Sequence, residues 1–244
     1  SFFKDGYLEI VREFTFENYT AVWSNPQYQY QMGRSVLVSI LVTVITVLLA
    51  SPVAYFVALH SPPDRKSIWL FLITIPFWTS YLIRVFLWKV ILGYNGVVNS
   101  ALKGIGIIDE PLQWINYNLG AVIVTLAHAY APFAILPIFV ALEKIDRSLL
   151  EAGQDLGESR LMTFWRVTLP LTMPGVIGAT LIVFVPTIGD YVTPYLVGGP
   201  QGRLIANEIQ TQYMKLDNYP LGSAIAITAM LIVGAISMIF LLMN

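Results

Sequence analysis

The chain has no cysteine, only two histidines, and charge on just 12% of its 244 residues. Without cysteine there can be no disulfide and no thiolate metal site, although the compartment stays open. His60 and His128 stand alone, so no ligand cluster can be built on them. Ordinary soluble domains carry about 25% charged residues, roughly twice this share. The net charge of −1 supplies no basic surface for nucleic acid. Phosphate-binding and catalytic signatures are missing too. The Gly198–Gly199–Pro200 turn lacks the Lys-Ser/Thr sequel of a phosphate loop, and no catalytic constellation is present. What remains is apolar sequence: 56% hydrophobic residues and a mean hydropathy of +0.67. The chain reads as an all-α integral membrane protein forming a single transmembrane domain.

A membrane span needs about 20 mostly apolar residues. Five segments qualify, at 33–60, 67–92, 119–142, 175–197 and 221–243. Residues 1–32 form a lead-in, and SFF at its start reads as the tail of a preceding span. A sixth, N-terminal span is therefore expected outside the given sequence. Lysine and arginine in the loops set orientation. Residues 61–66 and 143–174 hold Arg65, Lys66, Lys144, Arg147, Arg160 and Arg166. The much longer alternate set, 1–32, 93–118 and 198–220, holds only Lys4, Arg12, Lys103, Arg203 and Lys215. The first set is cytoplasmic. The outer loops are rich in aromatic and amide side chains, as in SNPQYQYQ and EPLQWINYN, and residues 97–108 read as a short surface helix. Pro52, Pro76, Pro132, Pro137, Pro186 and Pro194 interrupt the spans. Such breaks are tolerated where the released backbone groups are buried in protein or line a cavity, so their number favours a transport bundle over a passive anchor.

Residues 151–170, EAGQDLGESRLMTFWRVTLP, interrupt this apolar chain on its cytoplasmic side. Ser148 with Glu151 three residues later predicts a capping box and a helix start. Leu149, Ala152, Gly153 and Leu156 then share one apolar face, with Glu151, Gln154, Asp155 and Glu158 mostly opposite. Gly157 suits a bend. Leu161, Phe164 and Trp165 begin a second apolar stripe, and Leu169–Pro170 is expected to stop it before the next span. On these grounds the segment is either a connector lying on the membrane or a docking ridge for a cytoplasmic partner.

Glu151-Ala152, Gly157 and Leu169-Pro170 resemble the EAA loop of permease subunits of binding-protein-dependent ATP-binding-cassette importers. The spacing agrees throughout, with Gly153 in place of the third alanine and Val167 in place of isoleucine. PFWTSYLIR (76–84), LPLTMPG (169–175) and YLVGGP (195–200) look like the spermidine/putrescine branch. The resemblance implies a type I importer-like bundle of six spans in the bacterial inner membrane. It also implies coupling helices, carried by Glu151, Ala152, Gly153, Asp155, Leu156, Gly157 and Leu161, that seat in a cleft of an ATPase subunit. The implied partners are a cytoplasmic ATPase dimer, a second homologous permease, an extracytoplasmic substrate-binding protein and membrane lipid. ATP and magnesium would belong to the ATPase, with no cofactor on this chain. Relatives carrying opines, amino-acid derivatives, sugars or metals stay open as alternatives to a polyamine. So does an ion-coupled secondary transporter using Asp190 and His128, and, without solute flux, a membrane-embedded enzyme or scaffold.

Charges inside spans are costly and usually functional. By helix rise, Asp190 should lie roughly 10 Å, and Arg84 about 12 Å, from the outer ends of their spans. Their similar depth allows an ion pair. Alternatively, Asp190 attracts a cationic substrate among Tyr191, Tyr195, Trp78, Tyr81 and Trp88, since ammonium groups bind aromatic faces. Periodicity puts Pro186, Asp190 and Pro194 on one helix face, and Trp78, Tyr81 and Trp88 on another.

Overall fold

The computed structural model describes the backbone of all residues except 7, 8, 116, 156, 243 and 244, and the side chains of these residues and of 5, 6, 9–12, 114 and 154 are left aside. Two short strands, β1 (Phe3–Gly6) and β2 (Glu9–Phe14), precede twelve helices among the described residues. These are α1 (Glu17–Ser24), α2 (Pro26–Tyr55), α3 (Pro63–Thr74), α4 (Tyr81–Ile91), α5 (Val97–Gly104), α6 (Leu119–Glu143), α7 (Arg147–Asp155), α8 (Arg160–Thr163), α9 (Leu169–Ile188), α10 (Val192–Val197), α11 (Ile205–Met214) and α12 (Tyr219–Leu242). Four continuous helical stretches are long and apolar enough to cross a membrane: Pro26–His60, Leu119–Glu143, Arg160–Ile188 and Tyr219–Leu242. A fifth arises if Pro63–Trp78 and Tyr81–Ile91 act together as one broken span.

Two expected spans are corrected. The one placed at 67–92 is not a single helix. It tightens to a 3₁₀ turn at Ile75–Trp78 and starts again at Tyr81, because Pro76 cannot extend the hydrogen-bond ladder. The face drawn through Trp78, Tyr81 and Trp88 therefore does not exist. The span placed at 175–197 begins at Arg160, runs through Pro170 and Pro174, and stops at Ile188. Pro170 does not end it, because the turn ahead of that proline, Phe164–Thr168, is a widened π segment whose different hydrogen-bond register accommodates the ring. The helix breaks at Gly189–Asp190 instead, so Pro186, Asp190 and Pro194 share no helix face.

The chain divides into two compact units. The first comprises residues 1–41, 81–126 and 185–244. In it β1 and β2 pair antiparallel, Phe3 opposite Phe14, with an irregularity between Phe3 and Lys4. Asn18 Nδ2 ties α1 to this hairpin by donating to the Ser1 and Phe3 carbonyls. The hairpin and α1 pack on α12, α11 packs on α12, and α10 packs on α4. Val38, Val85, Leu126, Leu204, Ile205 and Ile225 are fully buried there.

The second unit comprises residues 42–80 and 127–184. Its core holds Val42, Val57, Ile138 and Val183. Gly175 lets two helices touch: a Cβ there would lie 2.5 Å from the Ala141 Cβ and 2.6 Å from the Pro137 carbonyl. Small residues at helix crossings are the usual means of close packing in a bilayer. Hydroxyls bond back into their own helices, Thr46 to the Val42 carbonyl, Ser51 to Val47 and Thr172 to Thr168, which hides polar groups from lipid. Lys66 Nζ grips both oxygens of Glu143 at 2.8 Å. This pins the start of α3 to the end of α6.

Candidate functional site

The loop after α6 forms one short helix, α7, and a bend at Gly157, as its periodicity predicts. The expected second short helix is instead the first turns of the long span from Arg160, and the cap of α7 differs. The Asp146 carboxylate, not a Ser148–Glu151 box, starts α7 by accepting the Ser148 N–H at 3.0 Å. That bond, with a second from the Ser148 side chain, holds the Asp146 pKa below its ordinary value. Glu151 is released from capping and lies exposed. At the other end Gly157 adopts φ +84°, a left-handed conformation that glycine reaches without strain. The Glu158 N–H then bonds the Gly153 carbonyl at 3.1 Å, the closing bond of a Schellman motif. Ser159 caps α8 by accepting the Met162 N–H at 3.3 Å, and Arg166 bridges to Glu158 at 2.8 Å.

Gly153 does not belong to an outward apolar face. A Cβ there would sit 3.3 Å from Thr163 Cγ2, so its small size lets α8 lie against α7. The outward apolar side chains are Leu149, Ala152, Leu161, Met162 and Trp165, all exposed, with Leu161 at 68% and Trp165 at 59%. Glu151 and Asp155 are exposed beside them. Leu156, also expected to take part, lies outside the described residues. Exposed apolar side chains flanked by acids on a cytoplasmic loop are what a docking ridge presents.

Behind the ridge an aromatic series runs into the spans. Trp165 meets Phe164 edge-on at 5.7 Å, Phe164 meets Tyr55 at 5.8 Å, and Tyr55 meets His60 at 5.3 Å. His60 stacks on Phe56, which meets Trp69. Two π segments, Phe56–His60 and Phe164–Thr168, carry most of these rings. π turns often mark functional positions. A cavity of about 260 Å³ lined by Ser51, Pro52, Tyr55, Leu142, Phe164 and Thr172 adjoins them.

The second cluster lies in the other unit, at the break between α9 and α10. Asp190 is 8% exposed. Its Oδ1 accepts the N–H groups of Val192 at 2.9 Å and Thr193 at 3.3 Å, the pattern of a helix N-cap. Oδ2 accepts the Tyr81 hydroxyl, whose oxygen lies 2.6 Å from Thr193 Oγ1. Asn207 donates to the Tyr191 carbonyl at 2.8 Å and accepts the Leu204 N–H at 3.0 Å. Backbone groups released by the break are thereby satisfied from side chains, as irregular backbone at membrane depth requires. Arg84 is also 8% exposed, and its Cζ lies 5.9 Å over the Tyr81 ring.

The structure thus brings Asp190, Tyr81 and Arg84 together, but as a phenol latch and not as the ion pair, one of the two alternatives: among the described residues no salt bridge joins Arg84 to Asp190. Tyr191 and Tyr195 follow Asp190 and are exposed; Trp88 lies two turns along α4 from Tyr81. Trp78 belongs to the other unit and is 80% exposed. Thr193 and Asn207 escaped the sequence reading. Asp190-Tyr-Val-Thr193-Pro194 carries the signal that could have found Thr193, an acid followed by a first-turn proline, which marks a helix start.

Comparison with known proteins decides the family. Residues 50–243 match the family described as "Binding-protein-dependent transport system inner membrane component". The chain belongs to that family. It is a multi-pass component of the bacterial inner membrane. Within this transport family it is 39% identical over 224 residues to the spermidine/putrescine transport system permease protein PotB of Haemophilus influenzae, covering 92% of this chain and 77% of that one. To PotB of Escherichia coli it is 36% identical, covering 93% and 82%. Its fold is that of inner-membrane components in solved importers. A chain of a bacterial ABC transporter involved in the import of the acidic polysaccharide alginate superposes with a TM-score of 0.74 at 18% identity, over 95% of this chain and 84% of that one. The same transporter in complex with an alginate pentasaccharide-bound periplasmic protein superposes with a TM-score of 0.74 at 19% identity, over 93% and 81%.

Proposed function

We propose that this chain forms half of the translocation pathway of an ATP-driven importer for a polyamine, spermidine or putrescine, or a related small organic cation. The observation that carries this reading is the 39% identity to a spermidine/putrescine permease over 92% of the chain. In this reading a second homologous permease supplies the other half. An extracytoplasmic binding protein delivers substrate to the outer loops, and a cytoplasmic ATPase dimer binds ATP and magnesium. This chain hydrolyses nothing and binds no cofactor.

The coupling helices α7 and α8 are the socket for the ATPase. Glu151, Ala152, Asp155 and Leu161 face outward to meet it, while Gly153 and Gly157 set the shape of the hinge. ATP binding closes the ATPase dimer, draws the coupling helices together and turns the spans from inward- to outward-facing. Rigid motion at Trp165 and Phe164 reaches Tyr55 through contiguous ring contacts. Asp190 supplies the negative charge that a polyamine seeks, with Tyr81, Tyr191 and Tyr195 as aromatic neighbours. Arg84 and Trp88, on the same helix as Tyr81, complete this cluster.

The experiment is ATP hydrolysis by the assembled importer. Binding protein loaded with spermidine or putrescine should stimulate it several-fold over binding protein alone. Stimulation by a neutral sugar or a metal ion, and by neither amine, would overturn the substrate assignment.

A further inference from the structure

We propose that Arg84 is a competing internal cation: Asp190 exchanges Tyr81 for Arg84 between two states of the protein, and the guanidinium expels a substrate cation from the carboxylate. This rests on the reading of Asp190 as the cation site. Two observations call for it. Asp190 Oδ1 is committed to backbone N–H groups, but among the described residues Oδ2 is held by a neutral phenol alone. One helical turn away Arg84 is buried, and its Nε and Nη1 meet no acceptor among the described residues. Two buried charges of opposite sign thus flank one aromatic ring without pairing. A carboxylate binds a guanidinium fork more strongly than a phenol, and an unpaired buried charge is costly. The observed arrangement is one that a small movement would relieve.

The geometry supplies the movement. Tyr81 and Arg84 stand three residues apart on α4, hence on one face and about 4.5 Å apart along its axis. Sliding α4 along α10 by about that much would carry the guanidinium to the place of the phenol. Shifts of up to one helical turn between packed elements are an established form of switching.

The exchange also alters affinity for a cation. With Tyr81 engaged, Asp190 keeps its net negative charge and can receive an ammonium group at Oδ2. With Arg84 engaged, that charge is neutralised and the ammonium loses its partner. A ligand is driven off only when the two states bind it differently, and this exchange provides the difference. Arginine suits the task because its planar fork can engage a carboxylate through two N–H groups.

The test uses the complete importer in proteoliposomes, with radiolabelled spermidine as probe. Arg84→Met, uncharged and of similar length, removes a guanidinium that contacts the Tyr81 ring but pairs with no carboxylate among the described residues and should assemble normally; Arg84→Gln serves as a second variant. Both should retain spermidine on the importer and release it slowly, so that kcat and KM fall together by about five-fold or more. Arg84→Lys should restore much of the release. In an Asp190→Asn background Arg84→Met should add nothing. Release at the wild-type rate, a raised KM with unchanged kcat, or an equal effect in the Asp190→Asn background would overturn the exchange. So would failure of both Arg84→Met and Arg84→Gln to assemble, since an unpaired guanidinium cannot be what secures the fold. Normal spermidine transport by Asp190→Asn would instead remove the cation-site reading itself.

Discussion

Substitution can separate the structural part of Asp190 from the part proposed for it. Its Oδ1 caps α10 through Val192 and Thr193, and under the proposed function its charge receives a cation. Asp190→Asn keeps an acceptor for the cap and removes the charge. Spermidine uptake should fall about tenfold or more, the loss of one charge-assisted hydrogen bond, while the thermal midpoint stays near wild type. Asp190→Ala removes the cap as well and should cost about 1 kcal/mol of stability, read as a lowered midpoint. If Asp190→Asn unfolds the protein as Asp190→Ala does, the acid is structural. Gly157 supplies a second residue-scale test. A β-branched side chain at φ +84° is strained by roughly 1–2 kcal/mol, whereas asparagine tolerates that conformation. Gly157→Val should uncouple ATP hydrolysis from uptake, and Gly157→Asn should keep most of the coupling. That Asp190 stands out was legible from a lone charge in an apolar run. Its partner was not, because the break at Gly189–Asp190 destroys the helical phase from which depth and facing were read.

At the level of elements the coupling loop was the most legible part of the chain. Helical spacing located α7 and Gly157 located its end. The N-cap of α7 was misplaced because two short polar residues, Asp146 and Ser148, compete at its start. The path of the chain past Pro170 was illegible for a different reason. A proline stops an ordinary α-helical ladder, and nothing in the residues announces the π turn that takes it in. Two predictions belong here. Gly153→Ala restores the residue usual in the EAA motif. Its Cβ meets Thr163 at 3.3 Å, a crowding that the gain of about 1 kcal/mol in helix propensity offsets, so coupling and stability should change little. Gly153→Leu should push α8 off α7 and abolish coupled ATP hydrolysis. The second concerns pH. Because the folded pKa of Asp146 is depressed, the cap's contribution is complete above the unfolded carboxylate value of about 4 and is lost as pH falls through the folded value. Amide protection at the start of α7, corrected for intrinsic exchange, should be flat from about pH 7 to 5 and fall below about 4. In Asp146→Ala that acid-dependent loss should be gone.

For the whole molecule, composition alone identified a membrane protein, and the folded chain supplies four long apolar helices with a fifth broken one. Large apolar side chains such as Leu48, Leu49 and Leu231 remain exposed along these helices, the surface that lipid and a partner permease would cover. The two candidate sites fall in different compact units: one holds α7 and α8 with their aromatic series, the other holds the Asp190 latch. That division could not be read from the order of spans, because each unit gathers segments distant in sequence. The central claim is that this chain converts ATP-driven motion at α7 and α8 into polyamine uptake. Its most direct test is spermidine uptake into proteoliposomes holding the complete importer, with binding protein outside the outer face and ATP supplied to the ATPase, comparing wild type with Glu151→Lys. The account predicts ATP-dependent uptake in the wild type. In Glu151→Lys it predicts near-complete loss of uptake with normal insertion and an unchanged thermal midpoint, since Glu151 is exposed and caps nothing. Spermidine uptake that follows an ion gradient without ATP, or that persists unchanged in Glu151→Lys, would contradict it.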